Sequence, residues 1–142
     1  MRLFLLMVVL MSGLALAHSQ LKSSSPKDGS TVKIAPKTVN LEFNEGIEMG
    51  FSTIRVIQLP IAATVQDHHQ ADEAAEKFLP KIKSVELEKI RVDTGMTPKT
   101  GQSNKVSLGL KPLKAGWYGV IWRALGTDTH PVSGVMTFRV KP

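Results

Sequence analysis

Short stretches in which apolar and polar residues alternate recur along most of the chain. Val39–Phe43 alternates as a half-buried strand should. Four further segments share the pattern: Thr53–Leu59, Val106–Leu110, Trp117–Ala124 and Val135–Val140. Turn-forming Pro and Gly residues separate them, around Ser25–Gly29, Ala35–Pro36 and Lys111–Gly116. Several short strands with regular turns and no helical repeat predict an all-β fold, an antiparallel β-sandwich.

One of these segments has large apolar side chains on both of its faces. Trp117, Tyr118, Ile121 and Trp122 do not keep to one side of an alternating strand. This indicates a central strand that is covered on both sides, and most of these residues are interpreted as core residues.

A segment in the middle of the chain departs from the alternation. From Ala62 to Lys83 the composition turns to Ala, Glu, Gln, Asp, Lys and His, with apolar residues at roughly helical spacing. Asp67 or Asp72 is available to cap a helix. We predict a short surface helix, inserted between two strands and ended by Pro80, followed by an extended segment over Val85–Val92.

The first residues have the pattern of a secretory signal peptide. Arg2 precedes the apolar run Leu3–Leu10, and Ala15–Ala17 supplies the small residues that a signal peptidase reads. The run is shorter than the roughly 20 apolar residues of a membrane span. We therefore expect cleavage after Ala17, a signal peptide over residues 1–17 and a single domain over 18–142, with an uncleaved anchor as the alternative.

Composition narrows the class of protein. The chain has no cysteine, which excludes a disulfide framework, a thiolate metal site and a lipid-anchoring cysteine. Its net charge of +6 comes from lysines spread along the chain without a dense block. Together with export, this indicates a solvated basic surface rather than a nucleic-acid interface, and we expect a soluble monomer.

His18 is the residue that cleavage would expose as the new N-terminus. A terminal histidine offers two nitrogens at once, the α-amine and the ring Nδ1, which can close a chelate ring around one metal ion. The amine has a reference pKa of about 7.7–8.0, so a metal must displace its proton, and Cu(II) competes best among divalent first-row ions. Taken alone, a histidine at this position could be there by chance.

Asp128 and His130 supply a carboxylate and an imidazole two residues apart. In an extended segment, which Pro131 favours for the residue before it, both side chains face the same side. One amine, two imidazoles and one carboxylate form a tetragonal nitrogen-and-oxygen set of the kind that Cu(II) prefers. The alternative is a polar turn in which Asp128 accepts hydrogen bonds from backbone amides.

With these residues the sequence resembles the CopC family of copper-resistance proteins. The segments that carry the resemblance are His18–Leu21, Ser25–Pro26, Gly29–Ser30, Ala35–Pro36, Val39–Glu45, Gly116–Tyr118, Trp122–Arg123, Asp128–Gly134 and Phe138–Val140. It covers most of residues 18–142 except an insertion over about 61–100.

The resemblance implies a fold, a site and a cellular place. The fold would be a Greek-key β-sandwich or barrel of cupredoxin-like or immunoglobulin-like type. His18, through its amine and ring, would bind one Cu(II) per mature chain together with Asp128 and His130, with no catalytic residues. The place would be the bacterial periplasm, where a CopD-like membrane copper transporter is the implied partner.

Two features depart from that family. Members with a second, Cu(I) site carry a methionine-rich loop, whereas only Met49, Met96 and Met136 follow residue 17 here, unclustered, which argues against a Cu(I) site. The insertion contains His68 and His69, and adjacent residues on a helix point about 100° apart. We therefore expect a solvated helix face there rather than a second metal site.

Three functions follow from these observations. The first is an exported Cu(II)-binding protein for sequestration, resistance or delivery to a transporter. The second is a copper enzyme of the histidine-brace, monooxygenase-like type, and the third is a metal-free β-sandwich interaction module. Asp128 favours the first over the second, because an equatorial carboxylate stabilises Cu(II) and occupies the position that oxygen would need. We expect a binding protein and not an enzyme.

Overall fold

Two four-stranded β-sheets form the framework of residues 20–142, which are the residues that the computed structural model describes. The strands are β1 (Leu21–Ser25), β2 (Thr31–Val32), β3 (Thr38–Glu48), β4 (Thr53–Gln58), β5 (Asp93–Thr97), β6 (Gln102–Leu110), β7 (Gly116–Leu125) and β8 (Pro131–Val140). The first sheet has the order β1-β3-β6-β5 and the second β2-β8-β7-β4. The predicted β-sandwich is confirmed, although β2 and β8 pair in parallel where an antiparallel fold was expected.

The two sheets share an inner core of apolar side chains. Alternate residues of β3 point into it: Val39, Leu41 and Phe43 are buried, whereas Asn40 between them is exposed. The ring of Phe43 meets that of Trp122 from the other sheet edge-on, with the ring centres 5.9 Å apart. The alternation in the sequence therefore reports which face of β3 is buried.

Strand β7 separates this inner core from a second, outer one. It lies between β8 and β4, and its side chains are buried on both faces, as predicted. Tyr118 and Trp122 belong to the inner core, whereas Trp117 and Ile121 belong to an outer cluster on the other side of the sheet. All four residues are therefore core residues.

The segment between β4 and β5 is helical. Helix α1 (His68–Glu76) is capped by Asp67, whose Oδ1 accepts a hydrogen bond of 3.0 Å from the His69 N–H. Pro80 does not end this helix but lies in a separate 3-10 turn, Leu79–Lys81. Val85–Val92 is not extended as expected, because Ser84 caps a further helix, α2 (Val85–Ile90). Within residues 20–142, no helix is both long enough and apolar enough to cross a membrane.

This segment forms a third layer on the outer face of the second sheet. Ala71 and Ala75 of α1 are fully buried against the outer face of the second sheet. Gly119 of β7 makes room for the helix, since a Cβ atom at this position would lie 3.0 Å from Cβ of Ala75. The predicted surface helix is therefore present, and its inner face covers Trp117 and Ile121, which are buried in the outer cluster.

A buried carboxylate ties the end of this layer to strand β4. The side chain of Asp93 is fully buried and accepts hydrogen bonds from the backbone N–H groups of Val56 (2.8 Å) and Gly95 (3.0 Å). It also accepts two from the guanidinium of Arg91, at 3.0 and 2.8 Å. On the edge strand β4, the N–H of Val56 thereby has a partner inside the protein.

Strand β3 carries a bulge that links the two sheets. Glu42 pairs with Lys105 and Ile47 with Ser103, so four residues of β3 stand opposite a single residue of β6. Beyond the bulge, Ile47 forms a bridge with Gly126, immediately after β7. One end of the sandwich therefore brings together the bulge and the connection between β7 and β8.

Candidate metal centre

The connection between β7 and β8 is a tight hydrogen-bonded turn. The Thr129 N–H donates to the carbonyl of Gly126, and the Gly126 N–H donates to the carbonyl of His130, both at 2.9 Å. Thr129 has a φ of 72°, which is uncommon for a β-branched residue. The predicted extended conformation of this segment is wrong, because the chain reverses direction here.

The turn still brings the side chains of Asp128 and His130 together. Oδ1 of Asp128 accepts the His130 backbone N–H, and Oδ2 lies 3.1 Å from Nδ1 of the His130 ring. The polar turn considered as the alternative is therefore present, and it is the turn that pairs the two side chains. That they ligate a metal stays a prediction.

Both side chains are accessible, and the carboxylate is held in its charged form. The side chain of His130 is 52% exposed and that of Asp128 39%. The hydrogen bond from the His130 backbone N–H, with a second from its ring, lowers the pKa of Asp128 below its usual value. An ionised carboxylate has about four lone-pair positions, so it can accept these bonds and still ligate a cation.

His18 lies outside the described residues, but the start of the described chain lies at this end of the sandwich. Two hydrogen bonds join Gln20 and Asn44: the Asn44 N–H donates to the Gln20 carbonyl at 2.9 Å, and the Gln20 N–H donates to Oδ1 of Asn44 at 2.6 Å. Two residues further along the bulge, the carbonyl of Gly46 accepts the Thr127 N–H at 3.1 Å. His18 precedes Gln20 by two residues, a reach of about 7 Å.

An open groove of about 390 Å³ lies beside the turn. One of its walls carries a further carboxylate, that of Glu45. Its walls are Asn44, Glu45, Gly46, Gln102, Ser103, Asn104 and Thr127. Sequence analysis did not single out Glu45, because in an alternating strand it reads as an ordinary polar position. Only the bulge, which the sequence pattern does not show, places it beside Thr127.

The methionines after residue 17 lie in or against the inner core. Met49 and Met136 are fully buried there, and Met96 of β5 packs against the same cluster. Their thioethers therefore serve packing in the part of the chain that the structure describes.

The histidines of the insertion do not diverge as the sequence predicted. The ring centres of His68 and His69 lie 4.2 Å apart, with planes tilted by 33°. Ligand atoms of these two residues and of Asp67 all lie within 4.8 Å of one another. The prediction considered only the directions of the Cα–Cβ bonds, which differ by about 100°. The two side chains can still bring their rings together by their choice of rotamer at the first turn of α1.

Comparison with known proteins gives consistent matches over nearly all of the described chain. The family model for the CopC domain matches residues 21–141. Copper resistance protein C of Pseudomonas syringae pv. tomato is 35% identical over 133 residues, covering 94% of this chain and 88% of the relative. Copper transport protein CutJ of Bacillus subtilis is 31% identical over 97% of this chain, which corresponds to 21% of CutJ. The crystal structure of PcoC, a methionine-rich copper resistance protein from Escherichia coli, superimposes with a TM-score of 0.60 at 28% identity, covering 88% and 100% of the two chains.

Proposed function

The chain belongs to the CopC domain family, and from that premise we propose that its exported form binds one Cu(II) ion through His18, Asp128 and His130. The relatives that match over most of the chain are named as copper resistance proteins. The function is copper binding outside the cytoplasm, for sequestration or resistance.

One observation carries the assignment of the ligands. The start of β1 and the turn that holds Asp128 and His130 are bonded to the same bulge of β3, at Asn44 and Gly46. The expected N-terminus, His18, precedes Gln20 by two residues, which supports its assignment as a ligand at this turn. Asp128 and His130 are the carboxylate and imidazole that Thr127 ties to this bulge.

The chemistry of this donor set selects the oxidation state of copper. An amine, two imidazoles and a carboxylate suit Cu(II), whereas Cu(I) prefers soft thioether and thiolate ligands. The chain has no cysteine, and its described methionines pack in or against the core. A carboxylate that stays ionised also adds negative charge beside a divalent cation, which favours Cu(II) over Cu(I).

Delivery is the second part of the proposal. Removal of the first 17 residues in the periplasm creates the terminal amine, so the site forms only after export. CutJ, which contains a region similar to this chain, is a copper transport protein. This supports transfer of the ion to a CopD-like transporter in the inner membrane.

The test is a single residue added before His18 of the mature protein. The addition converts the His18 amine into an amide, so that one donor and the chelate ring are lost together. Cu(II) binding should weaken by about a hundredfold or more, since each 1.4 kcal/mol is a factor of ten in affinity. Affinity and the electron paramagnetic resonance spectrum are measured for native and extended protein, each with and without His130→Ala.

The His130→Ala arm removes an ambiguity. The added residue brings its own amine, which can form a different copper chelate with backbone amides of the tail. Such a chelate would be indifferent to His130→Ala, whereas binding to the native site should depend on it strongly. If extension leaves both affinity and spectrum unchanged, the free terminus is no ligand and the proposal is wrong.

A further inference from the structure

We propose that Asp67, His68 and His69 form a second, weaker binding site for a divalent cation, with Cu(II) as the preferred ion. The chain has four histidines. Two of them belong to the site proposed above, and this second site uses the other two.

The donor atoms are already close enough to hold one ion. All three ligand atoms lie within 4.8 Å of one another. An ion with ligands at about 2.0–2.2 Å holds neighbouring donors roughly 3 Å apart. The difference is covered by rotation of side chains, and α1 itself does not have to move.

Local structure positions two of the three side chains, those of Asp67 and His68. Asp67 is the N-cap of α1, and its bond to the His69 N–H directs its carboxylate at the first turn. The His68 ring packs over Gly29, where a Cβ atom would come within 3.4 Å of it. Gly29 has a φ of +71° and donates its N–H to the carbonyl of Thr137 at 2.8 Å, so the surface under the ring is fixed by β8.

The surroundings of the cluster are acidic, although the chain as a whole carries +6. Asp28, next to Gly29, accepts the Thr137 N–H at 3.0 Å. Asp72, one helical turn after His68, accepts the Thr137 hydroxyl at 2.7 Å. Two further carboxylates therefore meet beside the site, and their charge attracts a cation.

The donor set indicates which ion would bind and how tightly. Two imidazoles and one carboxylate suit a borderline divalent cation, and the general affinity order places Cu(II) above Ni(II) and Zn(II). The site has no terminal amine to close a chelate ring and is open to solvent. It should therefore bind Cu(II) more weakly than the first site.

The two sites cannot share an ion. Helix α1 contacts β8 at Thr137, whereas the turn with Asp128 and His130 precedes the start of β8 at Pro131. Six residues of strand separate these points, a distance of about 20 Å. An ion bound at one site is therefore not ligated by residues of the other.

The experiment is a copper titration of mature protein without a histidine tag, in which nitrogen-15 nuclear magnetic resonance spectra are recorded after each addition. Paramagnetic Cu(II) broadens nearby amides. The first equivalent should broaden residues around Gly126–His130, and a second should broaden Asp67–Gln70 together with Gly29. Affinities come from calorimetry on the same samples, and thermal melts confirm that each variant is folded.

Three variants locate the second equivalent. His68→Ala/His69→Ala should weaken it by about tenfold or more. Asp67→Asn should weaken it too, and it keeps the cap because asparagine caps a helix as well as aspartate. Gln70→Ala, an exposed change on the same helix, is the matched control and should leave both equivalents unchanged.

His130→Ala separates this proposal from the proposed function. It should weaken the first equivalent and leave the second in place, so failure at either site is seen without the other. If the second equivalent broadens other amides, or if His68→Ala/His69→Ala leaves its affinity unchanged, the second site does not exist.

Discussion

Replacement of Asp93 by alanine should destabilise the fold severely without touching either proposed copper site. The carboxylate is fully buried and accepts four hydrogen bonds, two from backbone N–H groups and two from Arg91. The hydrogen bond with Asp93 is also the main cause that raises the pKa of Arg91 above its usual value. Alanine removes every one of these acceptors at once.

The cost can be worked out from the groups left behind. The N–H of Val56, a fully buried residue, loses its partner, and an unsatisfied buried donor costs about 1–3 kcal/mol. The N–H of Gly95 also loses its acceptor, and this costs about the same or less, because Gly95 is partly exposed to water. Arg91 is 20% exposed and keeps Glu88 at 3.1 Å, so it recovers part of its solvation. Removing one partner of a buried ion pair typically costs about 3–5 kcal/mol, and the losses at these three donors lead us to expect this range, a large fraction of a typical stability of about 5–15 kcal/mol.

Urea unfolding of Asp93→Ala and of the parent protein measures this difference. Glu88→Ala is the control: its side chain is 47% exposed, and its ion pairs with Arg91 and Arg55 should contribute only about 0–1 kcal/mol each. A loss below about 1 kcal/mol for Asp93→Ala would mean that water replaces the missing acceptors, and the reasoning on buried donors would be refuted.

Three further outcomes are expected. Burial raises the pKa of Tyr118, the single tyrosine of the chain, so ultraviolet titration should show its ionisation above pH 10. The free energy of unfolding should fall as the pH rises past the pKa of about 10 that the tyrosine has in the unfolded chain. Ionisation at or below pH 10 in the folded protein would contradict this. Thr129→Gly relieves a positive φ and should raise the free energy of unfolding by up to about 1 kcal/mol in urea titrations, whereas a loss of stability would show that Thr129 is unstrained. Gly119→Val forces a side chain against Ala75 and should lower the free energy of unfolding by about 1–3 kcal/mol, and equal stability would show that α1 can shift freely.

The parts of the fold that were predicted are those whose sequence pattern reflects burial. Val39–Phe43 alternates because one face of β3 meets the inner core, and Trp117–Ala124 is apolar on both faces because β7 lies between two cores. The edge strands β1 and β2 carry no such pattern: β1 reads Leu-Lys-Ser-Ser-Ser, and β2 has only two residues. Their pairing depends on neighbours that the local sequence does not show.

Helix α2 was mistaken because its pattern fits two periods. Val85 and Leu87 alternate as in a strand, whereas Leu87 and Ile90 are spaced as on a helix. Packing decides between them, since Leu87 is fully buried in the outer cluster and Val85 is 77% exposed. For the candidate site, the spacing of Asp128 and His130 predicted that their side chains meet, but the backbone that joins them is a turn that the Asp128 side chain itself helps to close.

The proposed copper site lies where the bulge of β3 connects the two sheets, so a bound ion would link one sheet to the other. Residue 18 precedes β1 of one sheet, and the turn with Asp128 and His130 follows β7 of the other. An ion held by all three would cross-link the two sheets in a chain that has no cysteine to do so. If cleavage creates the proposed amine at His18, binding of copper would link the two sheets reversibly, and loss of the ion would free them.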